Sequence, residues 1–377
     1  MKSNLLCLSW LDADNVMNYG QILQGCAMMN ILRQITQGKI VYLSYFSRGP
    51  KRIVKYYLDH YNLSTGHLFS YLKTRKTIKS FIRNNRICFS QVHNESQINK
   101  KTKNIELMIC GSDQIWHPQN YDKIYFLDFG DDSIIRTSYA VSLPKTQIEK
   151  QFIGVYHQIS YSLRRMNAIS VREKGSVPFI ETLSGKKVYD VLDPTYLVDR
   201  EIWYNSIEYI KILDDYIFVY IPNGMDNKMS EFVDSEFVDK IKKRYCILNV
   251  LVLITRGDSC FLDATRLKYV SVGQFLYLIK NARCVVTSSF HAVVFSTIFH
   301  SDFFCYDVPN PNRGEDIRLI DILSKLGLQE RLVNSDMLDT SKRIDWIAVE
   351  NAIEKNRCYS WNFINNTISM VGKNNDQ

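Results

Sequence analysis

The feature that most limits the fold is an alternation of short β-rich runs with amphipathic stretches along the chain. Such alternation is typical of parallel sheets covered by helices on both faces. A first set of strands is predicted at Leu5–Trp10, Ile40–Tyr45, Glu106–Cys110, Thr137–Val141, Ala168–Val171 and Lys187–Val191. A second set is predicted at Tyr216–Ile221, Leu248–Ile254, Lys268–Val270, Cys284–Thr287 and Phe303–Tyr306. Helical patterns between strands include Gln21–Arg33, Gln147–Leu163 and Val272–Asn281.

The two sets of strands separate at Leu192-Asp193-Pro194-Thr195, because the proline ends an apolar run and the next predicted strand begins only at Tyr216. A chain of 377 residues is also too long for one ordinary core. We therefore predict an α/β protein with two Rossmann-like domains, at 1–195 and 196–377, facing across a cleft. Ligands of such sheets bind beyond the carboxyl ends of the strands, so the residues that follow each strand are the candidates for function.

The composition is that of an ordinary globular protein, with 46% hydrophobic and 23% charged residues. No apolar run approaches the roughly 18 residues that span a bilayer, and the N-terminus lacks a signal-peptide pattern. We therefore expect a cytoplasmic protein. The nine cysteines are scattered without a CxxC pair, which predicts free thiols and neither a disulfide framework nor a metal site.

The charge is concentrated in a basic segment at 48–103, which has thirteen Lys or Arg and only two Asp or Glu. It is either a solvated helical hairpin inserted in the first domain or a surface for anions. One candidate is an anionic lipid membrane, and the protein would then bind peripherally at its inner face. The other candidate is a lipid-diphosphate acceptor. Nucleic acid is excluded as a partner, because no helix-turn-helix, RNP or zinc-finger pattern is present.

Two groups of residues follow strands of the first domain. The first group opens a helix and serves either to cap it or to bind an anion with backbone N–H groups; it consists of Asn18, Tyr19, Gly20 and Gln21. The second group follows Cys110 and offers hydroxyl, carboxylate and amide groups, which suit a sugar; it consists of Ser112, Asp113, Gln114 and Trp116. A plain Asx-turn is the alternative for the second group.

Three arginines are candidates for binding an anion. Arg172 ends the strand Ala168–Val171, and its planar guanidinium suits a carboxylate or phosphate. The alternative is an ion pair with Glu173. Arg313 and Arg318 stand at the start of a later helical run and either bind an anion or pair with nearby acids.

The stretch TSSFHAVVFS, at 287–296, joins a strand to a helix. Ser288 and Ser289 occupy the position of a helix N-cap, which places His291 in the first turn, beside free backbone N–H groups. An anion bound there would favour the protonated imidazole, so that His291 becomes a proton donor when the anion is present. The alternative is a histidine that only caps the helix.

Taken together in this order, the motifs resemble the polysaccharide pyruvyl transferase family. The matching segments are NYGQILQ (18–24), GSDQIW (111–116), SYAVSL (138–143), ISVRE (169–173), VLDPTYL (191–197), TSSFHAVVFS (287–296) and RGEDIRLIDILSKLGLQER (313–331). The resemblance implies a fold similar to that of GT-B glycosyltransferases. It also implies transfer of pyruvate from phosphoenolpyruvate to two hydroxyls of a sugar, giving a ketal, in the assembly of capsule, exopolysaccharide or cell-wall glycan.

Carried over motif by motif, the resemblance makes His291 the general acid on the donor side. Arg172 becomes a carboxylate or phosphate clamp, and the groups at 18–21 and 112–116 become the acceptor side. Some relatives carry an arginine where this chain has Ser289. We therefore expect Ser288, Ser289 and the helix N-terminus to hold the phosphate together with Arg313 or Arg318. The chemistry needs phosphoenolpyruvate as co-substrate but neither a cofactor nor a metal.

Two other functions are compatible with this pattern. A GT-B glycosyltransferase of the same pathway would use a nucleotide sugar and needs an acid for the ribose, for which Glu315 is the candidate. A non-catalytic glycan-binding protein would not need His291.

Overall fold

The computed structural model describes residues 3–9, 18–45, 65–212, 214–222, 236–253, 264–267, 270–306, 316–333 and 342–374. Strands of the first half are β1 (Leu5–Ser9), β2 (Ile40–Tyr45), β3 (Ser90–Val92), β4 (Leu107–Cys110), β5 (Ile135–Ser138), β6 (Ile169–Val171) and β7 (Val188–Asp190). Its helices are α1 (Tyr19–Ile35), α2 (Thr65–Asn84), α3 (Glu95–Asn99), α4 (Ile153–Arg164), α5 (Val177–Ser184) and α6 (Arg200–Asn205).

The second half repeats the alternation. Its strands are β8 (Ile217–Tyr220), β9 (Val250–Leu253), β10 (Thr265–Leu267), β11 (Cys284–Thr287), β12 (Phe303–Tyr306) and β13 (Leu332–Val333). Its helices are α7 (Glu236–Tyr245), α8 (Val272–Lys280), α9 (Phe290–Phe299), α10 (Ile317–Leu326) and α11 (Trp346–Asn374). The predicted strand at 268–270 lies largely outside the described residues.

Two parallel sheets form the two halves, which confirms the predicted α/β fold with two Rossmann-like units. The first sheet has the order β3-β2-β1-β4-β5, and single parallel bridges connect β5 to the β6-β7 pair. The second has the order β10-β9-β8-β11-β12-β13. In each sheet the strand order reverses once near the centre, between β1 and β4 and between β8 and β11. Ligands of doubly wound sheets bind at such reversal points.

Helix α1 is buried on almost all sides, which its sequence explains. Few of its residues are charged, and thirteen of its seventeen are buried. A helix that is apolar all round has to be covered on every face. Helix α1 therefore lies between the first sheet and the second half, where Tyr19 stacks on Phe275 of α8 with ring centroids 4.5 Å apart.

Helix α11 connects the end of the chain to both halves, which the sequence pattern did not predict. Ser360 accepts a hydrogen bond from the Leu192 N–H at 2.9 Å. Phe363 lies against Tyr189, with ring centroids 5.1 Å apart. Helix α11 thus packs on strands and loops of the first half, although the predicted second domain includes it. The boundary at 195 stays a prediction.

The basic segment is not purely a helical insertion. Residues 48–64 lie outside the described part of the chain, and the rest forms α2, β3 and α3. Strand β3 pairs in parallel with β2, with Leu43 opposite Ser90. The segment therefore contributes the edge strand of the first sheet, which the prediction of a hairpin missed because the strand sequence Ser-Gln-Val is short and polar.

Candidate active site

His291 lies at the start of α9, where the sequence placed it. Ser289 is the N-cap: its hydroxyl accepts from the Ala292 N–H at 3.4 Å, and its own N–H donates to the Thr287 hydroxyl at 3.0 Å. The backbone N–H groups of Phe290 and His291 donate to no acceptor among the described residues. The turn therefore offers two free N–H groups beside the imidazole, at the reversal point of the second sheet.

Gly20 faces His291 from the other half. Asn18 caps α1 by accepting from the Gln21 N–H at 3.2 Å, so that Gly20 lies in the first turn, at the reversal point of the first sheet. A Cβ atom at position 20 would lie 2.1 Å from His291 Nδ1. The two helix N-termini thus meet at the imidazole, and glycine is required for this approach.

Asp193 lies on the other side of the imidazole. Its Oδ2 is 3.6 Å from His291 Nε2 and accepts from Arg172 Nη1 at 2.9 Å. Its Oδ1 accepts from the Thr195 hydroxyl at 2.7 Å. Burial alone would raise the pKa of Asp193, but hydrogen bonding and attraction from His291, Arg172 and Thr195 lower it well below its usual range. Asp193 is therefore an ionised carboxylate that faces His291.

Arg172 is held by two acids rather than exposed to a ligand. It pairs with Asp193, and its Nε donates to Glu173 Oε1 at 3.1 Å. The guanidinium carbon lies 3.9 Å from the centre of the Phe290 ring. The arginine is 5% exposed, so the ion-pair alternative describes this arrangement. Binding a substrate anion would require one of the two ion pairs to break.

Glu173 differs from Asp193 in its ionisation. Burial raises its pKa, and Arg172 only partly opposes this effect. Its Oε2 has no hydrogen-bond partner in the described part of the chain. The pair of acids around Arg172 therefore contains one firmly ionised carboxylate and one that takes up a proton more readily than an ordinary glutamate.

Of the two later arginines, only Arg318 falls within the described residues. Its Nε donates to Asp316 Oδ1 at 2.8 Å, and this aspartate also caps α10. The Arg318 side chain keeps 20% of its surface exposed. Attraction between Arg318 and Glu173 is among the effects on the pKa of Glu173, so Arg318 borders the same cluster of charges. Arg313 lies outside the described residues.

The GSDQ turn after β4 reaches the same cluster. Ser112 Oγ lies 3.0 Å from the Ala140 carbonyl oxygen and 3.3 Å from Asp193 Oδ2. Gly111 has φ +128°, and a Cβ there would lie 2.1 Å from the Tyr139 carbonyl oxygen. Asp113 and Gln114 are half-buried beyond this turn, with the Gln114 N–H donating to Asp113 Oδ1 at 2.8 Å. The turn thus places the Ser112 hydroxyl beside Asp193, and the Asp113 carboxylate acts electrostatically on Arg172.

Two of the predicted acceptor-side residues lie in the interior instead. Trp116 has no exposed surface, stacks on Phe126 and donates its indole N–H to the Tyr125 carbonyl at 3.1 Å. Tyr19 is 2% exposed and donates its hydroxyl to the Val270 carbonyl at 3.1 Å. Both aromatic side chains already have their polar partners inside the fold. We correct the prediction accordingly, because the hydrogen-bonding group of each side chain is already used inside the fold.

Sequence reasoning missed Asp193 as a site residue. Its motif was noted, but Asp-Pro-Thr after a strand also describes a plain turn, and Asp193 does accept from the Thr195 N–H at 3.1 Å. The distance to His291, 98 positions away, appears only in three dimensions. No group of three or more His, Cys, Asp or Glu side chains within the described ranges is arranged to hold a metal ion.

Comparison with models of known protein families shows to which family the chain belongs. The model of the polysaccharide pyruvyl transferase family matches residues 18–309, most of the chain. The chain belongs to the polysaccharide pyruvyl transferase family. The match includes Gly20, Ser112, Arg172, Asp193 and His291, and the family indicates a transferase that acts on a sugar acceptor. No curated protein sequence matches the chain.

Solved structures show the fold of this member of the pyruvyl transferase family. The Staphylococcus aureus MnaA–UDP complex has a TM-score of 0.52 and 8% identity, covering 94% of this chain and 88% of its own. A variant of the wall teichoic acid polymerase TagF has a TM-score of 0.50 and 8% identity, covering 100% and 90%. At such low identity the likeness establishes the GT-B-like fold alone. None of the described helices is both long and apolar enough to cross a membrane.

Proposed function

We propose that the protein transfers pyruvate from phosphoenolpyruvate to two hydroxyls of one sugar and forms a pyruvate ketal. The observation that carries the proposal is the placement of His291, in the first turn of a helix and between Asp193 and Gly20. Membership of the family supplies the reaction class. The chain's own residues supply the groups that this reaction needs.

The first need is a proton for the methylene carbon of the enol. His291 is the proposed donor, because Asp193 Oδ2, 3.6 Å from Nε2, stabilises the imidazolium by its negative charge. Protonation makes C2 of the donor electrophilic. The first sugar hydroxyl attacks C2 and releases its proton. The second hydroxyl then displaces phosphate, which leaves with the proton of that hydroxyl, and closes the ketal.

The second need is a site for the phosphate and carboxylate of the donor. The free N–H groups of Phe290 and His291 lie in the first turn of α9, next to the Ser289 N-cap, and Ser288 directly precedes that cap in the chain. Arg318 is the proposed cation, since it keeps exposed surface beside the cluster. Arg313 stays a candidate for the same task. We propose that Arg172 acts mainly through Asp193, which it holds in place at 2.9 Å.

The acceptor lies, in this proposal, on the side of the first half. The half-buried Asp113 and Gln114 and the N-terminus of α1 with Gln21 are the proposed hydrogen-bonding groups. The product belongs to capsule, exopolysaccharide or cell-wall glycan assembly. We further propose a lipid-diphosphate-linked acceptor, reached by a cytoplasmic protein that associates peripherally with the membrane. Four exposed cations support that association, since no ion pair of their side chains is found among the described residues: Lys73, Lys76 and Arg83 of α2, and Arg86 in the turn that follows it.

The alternative, a glycosyltransferase that uses a nucleotide sugar, has less support. Its proposed ribose ligand, Glu315, lies outside the described residues. The likeness to a UDP-bound protein extends to the fold only. No contact of the described residues favours a nucleotide over phosphoenolpyruvate.

The proposal is tested by incubating candidate sugar acceptors with phosphoenolpyruvate and the protein. Mass spectrometry should detect the mass of an added pyruvate ketal, and phosphate should be released in equal amount. A melting experiment supplies an independent measurement, because a ligand of the folded state raises the melting temperature. A rise with a nucleotide sugar and none with phosphoenolpyruvate would replace the proposal by the glycosyltransferase alternative.

A further inference from the structure

Gln24, in the second turn of α1, has a side-chain amide without a hydrogen-bond partner among the described residues. The residue has no exposed surface, and neither Nε2 nor Oε1 is bonded. An amide carries two donors and an acceptor with two lone pairs. Burying these groups unpaired destabilises a fold, so native proteins keep few of them without a specific reason.

The position of Gln24 on α1 relates it to His291. Residues four apart share a helix face, so Gln24 lies one turn after Gly20 on the same side. Side chains on a helix lean toward its N-terminus, so the Gln24 amide extends along the turn that contains Gly20. Gly20 has no side chain there, and its backbone contacts the His291 imidazole. The amide therefore lies on the face of α1 that meets the proposed proton donor.

Two other buried polar atoms without hydrogen-bond partners among the described residues come from the elements that meet at this place. They are Ser9 Oγ at the carboxyl end of β1 and Gln21 Oε1 in the first turn of α1. Ser9 and Gln21 are 1% and 5% exposed. Unused donors and acceptors thus concentrate around the reversal point of the first sheet, where a doubly wound fold binds its ligand.

We propose that Gln24, with Gln21 and Ser9, forms the subsite that holds the two reacting hydroxyls of the sugar acceptor. The proposal rests on the proposed function and extends it to residues outside the predicted acceptor set. A hydroxyl both donates and accepts, which matches an amide and a serine hydroxyl. The carboxylate and phosphate of the donor only accept, so they would pair with Gln24 Nε2 but would leave the carbonyl oxygens of Gln24 and Gln21 without a donor. The chemistry therefore assigns the subsite to a diol.

The test compares Gln24→Met, which keeps the length of the side chain and removes its polarity, with Gln158→Met on the exposed side of α4. Binding of the methyl glycosides of glucose, galactose and N-acetylmannosamine is measured by saturation-transfer NMR. We expect wild type to bind at least one glycoside, Gln24→Met to bind it at least about tenfold more weakly, and Gln158→Met to match wild type.

Thermal unfolding without ligand separates a binding role from a structural one. Removing an unpaired buried amide should raise the melting temperature of Gln24→Met by about 2 °C or more. A lower melting temperature, unchanged glycoside binding by the variant, or no glycoside binding by wild type would each overturn the proposal. Because the NMR experiment contains no phosphoenolpyruvate, failure of the subsite and failure of pyruvyl transfer are seen separately.

Discussion

Gly20 and His291 meet across the two halves with no space for a side chain at position 20. A Cβ there would lie 2.1 Å from Nδ1 and 2.7 Å from Cγ of the imidazole. The ring is confined by backbone on this side and by Asp193 on the other, where Nε2 and Oδ2 are 3.6 Å apart. The orientation of the proposed proton donor therefore depends on packing between the halves as well as on its own helix.

The substitution Gly20→Ala should displace the imidazole and lower kcat of pyruvyl transfer at least about tenfold. Overpacking of this kind also costs about 1–3 kcal/mol of stability. Gly154→Ala is the matched control, since a Cβ at this helical position would touch nothing within 4 Å. The control should gain about 0.5–1 kcal/mol from the helix preference of alanine. Urea unfolding and steady-state kinetics measure both effects, and equal activity of the two variants would contradict the proposed contact.

The substitution His291→Gln should lower kcat by about 10²–10⁴, which is the usual contribution of a general acid. The glutamine amide is polar and can form hydrogen bonds, but it cannot act as a general acid. Binding of phosphoenolpyruvate should persist, because the N–H groups of α9 come from the backbone. Melting curves with and without the donor check this expectation. Activity within a factor of two of wild type would remove His291 from the mechanism.

The substitution Asp193→Asn should destabilise the protein at pH 7 by about 3–5 kcal/mol, because it leaves Arg172 partly unpaired in the interior. The pKa of Asp193 is lower in the folded than in the unfolded chain. Its carboxylate therefore stabilises the fold fully above the unfolded value of about 4, and this stabilisation is lost as the pH falls toward the folded value.

Urea unfolding of wild type and Asp193→Asn between pH 7 and pH 3 tests this sign. The difference in free energy of unfolding should be largest near neutral pH and should shrink below about pH 4. Asp239→Asn is the control, since Asp239 pairs with Lys242 at the surface, where 64% of its side chain is exposed. Its effect should stay below about 1 kcal/mol. A constant difference for Asp193→Asn across the range would exclude the assigned ionisation.

Reversal of the exposed cations on α2 and in the turn that follows it should weaken binding to vesicles that contain anionic lipid. The variant changes four residues to glutamate: Lys73, Lys76, Arg83 and Arg86. Each cation near an anionic surface contributes about 1 kcal/mol, and added salt should reduce the binding of wild type. The control makes the same change of net charge at exposed lysines elsewhere, Lys150, Lys174, Lys211 and Lys355. Equal sedimentation of the two variants with vesicles would show that these cations only face solvent and do not bind the membrane.

The sequence predicted the strand-to-helix joints well, for a local reason. Strands β2, β11 and β12 have their predicted bounds, because each is an apolar, β-rich run with polar or small residues at its end. Ser289 caps α9 as its type and place indicate. Strand bounds and helix caps depend on residues that are adjacent in the chain, so the sequence alone predicts them.

Contacts between distant segments could not be predicted in the same way. Asp193 looked like a turn residue because its partner His291 comes from the other half. Trp116 followed a polar turn and was assigned to a sugar, although the aromatic Phe126 covers it. Helix α11 has a weakly amphipathic sequence, which gives no sign that its Phe363 packs against Tyr139 and Tyr189 of the first half.

The return of α11 to the first half also sets an order for folding during synthesis. Tyr139 and Tyr189 are contacted by Phe363, and the Leu192 N–H by Ser360. These groups emerge from the ribosome long before their partners do. The first half must therefore wait, with part of its apolar surface uncovered, until α11 has been made. Synthesis of α11, and not completion of the first sheet, is the event that allows the first half to reach its final packing.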